Sequence, residues 1–249
     1  YLLTEINKSF KNDAKERQRH IESRIPKRGF PDVGIPGSCT ALVGAMTLAS
    51  PEIIQLLLKN GASMNALDVN GNNAFMCACT FNRVDNVKFW LKEFPDWDLE
   101  ARNTVVGGVA LGISVLMGPN RLELTKLLLK SGSKVDTLAF SGGSILMGAC
   151  ENDDSDPEVV RIILERLPCR ELVNYRRTSQ TFKWKCIRTL AKLSVRYVSN
   201  TSGLFQTLAM GSGASALHFS AKRGDMEIVE LLLSEGADPS LKNDLGQDA

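Results

Sequence analysis

Histidine is almost absent from this chain, which has only His20 and His218 among its 249 residues. Imidazole-based catalysis and most zinc sites therefore have little to draw on. His20 lies in a highly charged N-terminal segment with no cysteine or second histidine near it, so it reads as a solvated side chain. Long apolar runs are missing too. The longest, Val105 to Met117, is broken by glycines and falls short of the roughly 18 residues that span a bilayer, which argues against a transmembrane chain. Neither sign of charge dominates: 30 basic against 28 acidic residues leave +2, so no global field marks a nucleic-acid binder and any basic signal must be local. Six cysteines form no even, closely spaced framework, and a chain that is 43% hydrophobic does not need disulfides to fold. This favours a reducing, intracellular compartment, the cytoplasm or an organelle interior. No glycine-rich phosphate loop, nucleophile elbow or zinc spacing occurs. No cofactor, metal or small-molecule substrate is expected.

Two local patterns mimic chemistry. Cys77-Ala78-Cys79 looks like a ligand pair, but residues two apart on a helix point about 200° away from each other. The run Glu151 to Asp156 lacks the spacing and the distal glutamate of a calcium loop. A solvated turn is the simpler reading.

What the sequence does contain is self-similarity. The clearest unit runs from Gly213 through Leu217-His218, Gly224 and Leu231-Leu232-Leu233 to Gly236-Ala237-Asp238, and Asp244-Leu245-Gly246 restarts it, Gly246 lying 33 residues after Gly213. The same register recurs upstream. Thr40-Ala41-Leu42 leads to Ile53 through Leu58 and Gly61, and Asn73-Ala74-Phe75 leads to Val87 through Leu91, with Leu42 and Phe75 again 33 apart. A third unit passes through Leu111 or Ile113 to Leu127-Leu128-Leu129 and Gly132, and a fourth through Leu146 to Val159 and Leu164. Each unit holds two short apolar-periodic stretches that cannot bury a face alone, so neighbours must stack. Glycines 61, 132, 224 and 236 fall where helices end with positive φ. Asp68 and Asp244 are placed to open turns by side-chain hydrogen bonds.

This pattern resembles the ankyrin repeat, whose T-P-L-H and G-A-D hallmarks are approximated by Ser215-Ala216-Leu217-His218 and matched by Gly236-Ala237-Asp238. The resemblance covers roughly residues 38 to 246 apart from one insertion. It implies an all-α ankyrin-repeat solenoid of stacked antiparallel helix pairs with projecting turns and a basic helical insertion. It also implies that His218 ties adjacent turns together and that Cys79 and Cys150, at the position of Met46 and Ala221, are core thiols. The third and fourth units depart from the pattern by lacking the glycine between their paired helices. The expected organisation is a charged N-terminal helix and linker (1–35), four repeats (36–171), the insertion (172–212), and a fifth repeat with the start of a sixth (213–249). Within the first segment the helix is expected over Thr4 to Arg24 and the linker from Lys27 to Gly37, where the helix either caps the first repeat with a polar outer face or links to another protein.

In the ankyrin family partners usually meet the projecting turns and the residues near the end of each first helix. That register selects Thr47 and Leu48, Thr80 and Phe81, Leu116 and Met117, and Lys222 and Arg223. Leu48, Phe81 and Met117 would place an apolar strip on the surface, the usual mark of an interaction site, unless the N-terminal extension or irregular packing covers them. The insertion, about Leu172 to Ser212, carries seven basic residues and no acidic one. On a helix Lys185, Arg188, Lys192 and Arg196 form one stripe, with Trp184, Ile187, Ala191 and Val195 beside or opposite it. Four readings stay open. The apolar face docks on the repeats while the stripe meets an acidic protein, the helix lies on an anionic membrane, the stripe contacts nucleic acid, or its charges are merely solvated. A single short stripe disfavours nucleic acid. The expected function is a protein-binding or scaffold module, an accessory subunit of a larger assembly and not an enzyme. The alternatives are peripheral attachment to an anionic membrane and the non-catalytic part of a larger enzyme.

Overall fold

A computed structural model describes residues 14–26, 37–198 and 202–249. Among them are thirteen α-helices, one 3-10 helix and no strand. The chain divides into two compact units: one ends at Asp98 and includes 103–105, the other comprises 99–102 and 106–249.

The first unit holds α1 (Ala14–Ile21), α2 (Ala41–Leu48), α3 (Pro51–Lys59), α4 (Ala74–Thr80) and α5 (Val84–Glu93). Helices α2 and α4 carry almost no polar residues and bury Leu42, Val43, Met46, Phe75, Met76 and Cys79, because they form the inner layer of adjacent repeats and pack on each other. Their partners are amphipathic. Helix α3 buries Ile54 and Leu57, starts on Pro51, whose missing N–H costs nothing in the first turn, and ends at Gly61 with φ +87°. Trp90 of α5 is fully buried and meets Trp97 edge-on, with ring centroids 5.1 Å apart. Asp68 opens the next turn as expected, its Oδ1 accepting the amides of Asn70 and Asn72 at 2.8 Å each. The projecting turns are laced together: Val69 N–H donates to Gly37 O and Thr104 N–H to Gly71 O. Residues 4–13 of the expected N-terminal helix and 27–36 of the expected linker lie outside the described residues. Helix α1 lies on the turns of the first repeat, where Gln18 donates to Gly61 O, Glu22 accepts from Ser63 N and Arg24 donates to Ser38 O and Leu67 O.

The second unit contains α6 (Ala110–Leu116), α7 (Leu122–Lys130), α8 (Ile145–Glu151), α9 (Pro157–Glu165), a 3-10 helix (Arg170–Asn174), α10 (Phe182–Tyr197), α11 (Gly203–Met210), α12 (Ala216–Arg223) and α13 (Met226–Ser234). Helix α8 packs against α6 on one side and α12 on the other, so the fifth repeat stacks directly on the fourth. The insertion therefore stands outside the stack. Its base is fixed where Arg177 N–H donates to Ala214 O at 2.8 Å and Gly213 N–H to Arg177 O at 3.0 Å. Between these points the chain forms a hairpin of α10 packed on α11.

Three details correct the sequence reading. The third unit does have a glycine between its helices, Gly118, with φ +70°, followed by Asn120 at +58°. Leu111, fully buried, holds the register position there, while Ile113 is only half-buried. The final turn is opened by Asn243, whose Oδ1 accepts Leu245 and Gln247 amides, leaving Asp244 to face the insertion through Lys192 and Ser212. His218 does tie turns together. Its Nδ1 accepts from Ser215 N–H at 3.2 Å while Nε2 lies 3.2 Å from Gln247 O.

Candidate partner-binding surfaces

One register position decides which residues are free for a partner. Six residues past the buried Leu42, Phe75, Leu111, Leu146 and Leu217 stand Leu48, Phe81, Met117, Asn152 and Arg223. The first three are exposed, at 45%, 39% and 47%. The last two are spent on holding repeats together. In three repeats the carbonyls four and seven residues past the buried leucine are taken by a side chain of the next repeat. Asn86 Nδ2 donates to Met46 O and Ala49 O at 3.1 and 2.9 Å. Asn152 Nδ2 does the same for Val115 O and Gly118 O at 3.0 and 2.9 Å. Arg223 donates from Nη1 to Cys150 O and from Nη2 to Asp153 O, both at 3.1 Å. Because Asn86, from α5, performs this duty for the second repeat, Phe81 is released from it.

The expected binding residue Arg223 is thus a structural tie, its side chain only 14% exposed and also paired with Asp225. Lys222 beside it is exposed. Thr47 is likewise no surface residue: it is buried and its hydroxyl donates to Gly44 O at 2.8 Å. Thr80 is half-buried, its hydroxyl returning to Met76 O. Leu116 is exposed beside Met117.

The insertion forms the expected amphipathic helix, α10, but with its basic stripe divided. Arg188 is buried to 4% exposure and donates to Leu208 O at 3.0 Å and Ser141 O at 3.1 Å. Burial and the neighbouring Arg177 lower its pKa to about 10, so it stays charged at neutral pH. Lys192 turns to Asp244 at 3.1 Å. Lys185 and Arg196 do face solvent, Arg196 lying over the Tyr197 ring. Ala191 is buried, and Trp184, Ile187 and Val195 are half-buried on the inward side. The outward side carries apolar residues instead: Phe182 at 81%, Tyr197 at 73%, and Leu190 and Leu193, all exposed. The expected arrangement of apolar face in and basic stripe out is therefore overturned for Arg188 and Lys192. The reason is that turn and helix-end carbonyls of this unit, with Asp244, offer acceptors that an aliphatic face cannot use.

The cysteine readings hold in burial, since Cys77, Cys79 and Cys150 are all buried. Desolvation raises the Cys77 thiol well above its usual range, helped by the nearby Asp68 carboxylate, and pushes Cys150 up to about 12. These are poor nucleophiles and poor metal ligands. The acidic turn is structural: Asp156 caps α9 by accepting Glu158 N–H, and Asp153 lies beside Arg223. Among the described residues no group of three or more His, Cys, Asp or Glu is placed to hold a metal ion, and no helix is long and apolar enough to cross a membrane.

Comparison with known proteins agrees with this architecture. A family model for the ankyrin repeat matches residues 212–244, and one for ankyrin repeats in many copies matches residues 43–89. The chain is 28% identical over 207 residues to the B-cell lymphoma 3 protein homolog of Mus musculus and 29% identical over 207 residues to the B-cell lymphoma 3 protein of Homo sapiens. Each alignment covers 82% of this chain but only 37% of the relative's length. Among solved structures, the ankyrin repeat domain of Bcl-3 aligns with a TM-score of 0.56 and 28% identity, covering 87% of this chain and 79% of that one. A chain from the complex of a predatory endopeptidase of Bdellovibrio bacteriovorus with an immunity protein aligns with a TM-score of 0.58 and 25% identity, covering 84% and 87%. Ankyrin repeats are protein-protein interaction modules. With matches in both units, helix pairs in one register and solved ankyrin domains of the same fold, this chain is an ankyrin repeat protein.

Proposed function

We propose that the chain is a non-catalytic module that captures a protein partner through exposed apolar side chains at the ends of its first helices. Leu48 and Phe81 serve in the first unit, Met117 and Lys222 in the second. One observation carries this reading: the register position that holds repeats together at Asn152 and Arg223 is exposed and apolar at Leu48, Phe81 and Met117. Large apolar side chains left in water at a repeated position mark an interaction surface. That a chain of this fold occurs in a solved protein complex supports the same class of role.

Photo-crosslinking from positions 48 and 81 in cells identifies the partner, and affinity is then measured with the purified pair. The double variant Leu48→Ser, Phe81→Ser should bind at least about tenfold more weakly with an unchanged melting temperature, since each replaces an exposed side chain. Unaltered affinity, or unfolding of the first repeat, would refute the surface.

A second reading rests on α10, where exposed Phe182, Leu190, Leu193 and Tyr197 are flanked by exposed Lys183, Lys185 and Arg196 with no acidic residue in the helix. Such a face also suits an anionic membrane surface. Flotation with acidic but not neutral vesicles, abolished by Phe182→Ser with Leu193→Ser, would favour it; a chain that stays in solution with both leaves the protein partner.

A further inference from the structure

A cavity of about 230 Å³ in the second unit is bounded by the inner helices of the third and fourth repeats and by the folded-back insertion. Its walls are largely apolar, with Val109, Ile113 and Leu116 from one repeat, Ile145 from the next and Leu208 from α11. Space exists because Gly112 of α6 and Gly148 of α8 line it without side chains. Three further residues bring a different chemistry to this apolar surface. Arg177, Trp184 and Arg188 all line the cavity, and each has a buried N–H with no acceptor among the described residues: Arg177 Nε, Trp184 Nε1 and Arg188 Nε.

Buried donors without acceptors are uncommon, because each forfeits the desolvation cost of its lost water. Three of them on the wall of one cavity share a requirement. The charges point the same way. Arg177 gives one guanidinium nitrogen to Glu151 Oε2 at 2.7 Å, whereas Arg188, almost wholly buried, donates to the carbonyls of Leu208 and Ser141. Of the charged side chains lining the cavity two are guanidinium groups and one, Glu151, is a carboxylate, which leaves one positive charge at its wall. Asp244, the other carboxylate acting on Arg188, is paired with Arg176 and Lys192. The two groups are close together, since a side chain built on Gly211 would meet Arg177 Nη1 at 3.1 Å and Arg188 Nη1 at 3.7 Å.

The geometry points to a binding site for a small carboxylic acid with an apolar body, its carboxylate facing Arg177, Arg188 and Trp184 and its hydrocarbon part among Val109, Ile113 and Ile145. A carboxylate is acceptor-only and singly charged, which matches N–H donors and one unbalanced positive charge. Phosphate would bring about two charges and three acceptor oxygens to walls that are mostly hydrocarbon. The volume lies below the roughly 300–1,000 Å³ of pockets for drug-sized ligands, so the acid is of benzoate or hexanoate size. The proposed partner-binding residues Leu48, Phe81, Met117 and Lys222 do not line it, although Leu116, the neighbour of Met117, forms part of its wall.

The test is calorimetric titration of the full 249-residue chain with benzoate and hexanoate, alongside their uncharged amides, benzamide and hexanamide. Saturable one-to-one binding of an acid, at least about tenfold tighter than its amide, is expected for a charge-assisted hydrogen-bonded site. Gly112→Leu should abolish it by filling the cavity; the fold has room for the new side chain's first carbon, which would meet only Ile145 Cγ1, at 3.5 Å. Arg188→Gln should weaken binding at least about tenfold. Should either variant fail to fold, Trp184→Phe keeps the test open: it removes one donor, and acid affinity followed by fluorine NMR of fluorobenzoate should fall severalfold with amide affinity unchanged. No saturable binding at millimolar acid, equal binding of acid and amide, or unchanged acid binding in folded Gly112→Leu or in Trp184→Phe overturns the proposal.

Discussion

Arg223 donates from Nη1 to the carbonyl oxygen of Cys150 at 3.1 Å, reaching back from the fifth repeat to the end of the fourth repeat's first helix. A second bond to Asp153 O satisfies the carbonyl one turn further on. Helix-end carbonyls have no partner within their own helix, so the next repeat supplies one. Arg223→Ala should therefore cost about 1.5–3 kcal/mol, the range for hydrogen bonds that involve a charged group. Lys222→Ala, which removes an exposed neighbour, should stay within about 0.5 kcal/mol. Urea unfolding of both variants makes the comparison, and equal effects would show that the tie does not operate.

Asn152 performs the same task between the third and fourth repeats with a neutral amide, and it is buried. Asn152→Ala removes the side-chain donor from Val115 O and leaves Gly118 O with the longer bond from Arg121 Nε at 3.4 Å, at a cost of about 1–3 kcal/mol. Because repeat proteins couple mainly to nearest neighbours, hydrogen-exchange protection should fall first in α6 to α9. Uniform loss over both units would contradict this local role.

Two glycines with positive φ should respond differently to alanine. Gly132 (φ +102°) has nothing within 4 Å of a new Cβ, so Gly132→Ala meets only backbone strain, about 1–2 kcal/mol. At Gly142 (φ +83°) the Cβ would lie 2.2 Å from Thr178 O, next to the base of the insertion. Gly142→Ala must displace that backbone as well, so its urea midpoint should fall clearly further than that of Gly132→Ala.

The Lys192 contact to Asp244 makes anchoring of the insertion acid-sensitive. Desolvation is the largest single influence on Asp244 and pushes its pKa up, but hydrogen bonds from Ser212 and Lys192 and the charges of Lys192 and Arg176 outweigh it and hold the carboxyl below its usual value. A depressed carboxylate pKa stabilises the fold above the unfolded value, near pH 4, and that contribution disappears as pH falls through the lower folded value. Emission from Trp184, which lies on the same helix, should report release of α10 as the solution is acidified below about pH 4. Asp244→Asn, which cannot titrate, should lack this component.

Thiol reactivity separates core from surface. Four cysteines (Cys39, Cys77, Cys79 and Cys150) are buried, Cys186 is half-buried and Cys169 is exposed. A disulfide reagent at neutral pH should modify Cys169 and Cys186 in the native protein and the other four only on unfolding, because desolvation keeps a buried thiol from ionising. Rapid native labelling of Cys77 or Cys150 would contradict the core assignment.

The repeat register was legible in the sequence because stacking imposes a period. Leu42 and Phe75, and Gly213 and Gly246, stand 33 apart, and each lands at the same place in its unit. The same logic correctly made His218 a turn-to-turn tie and Cys79 and Cys150 core residues. Asn243 escaped because Asp244 beside it is as good a turn former, and only the acceptor geometry distinguishes them. Lys222 and Arg223 both looked like surface cations.

By itself, then, the sequence determined the helices, their pairing and the presence of an amphipathic inserted helix, all consequences of local periodicity and of turns that need glycine or a short polar side chain. Tertiary structure alone decided which way α10 faces and which register positions remain free. Helical periodicity states which side chains share a face, but not what that face will meet. Arg188 is buried because acceptors 20 and 47 residues away, at Leu208 and Ser141, converge on it. Phe81 is exposed because Asn86, not a residue at its own register position, caps the preceding repeat.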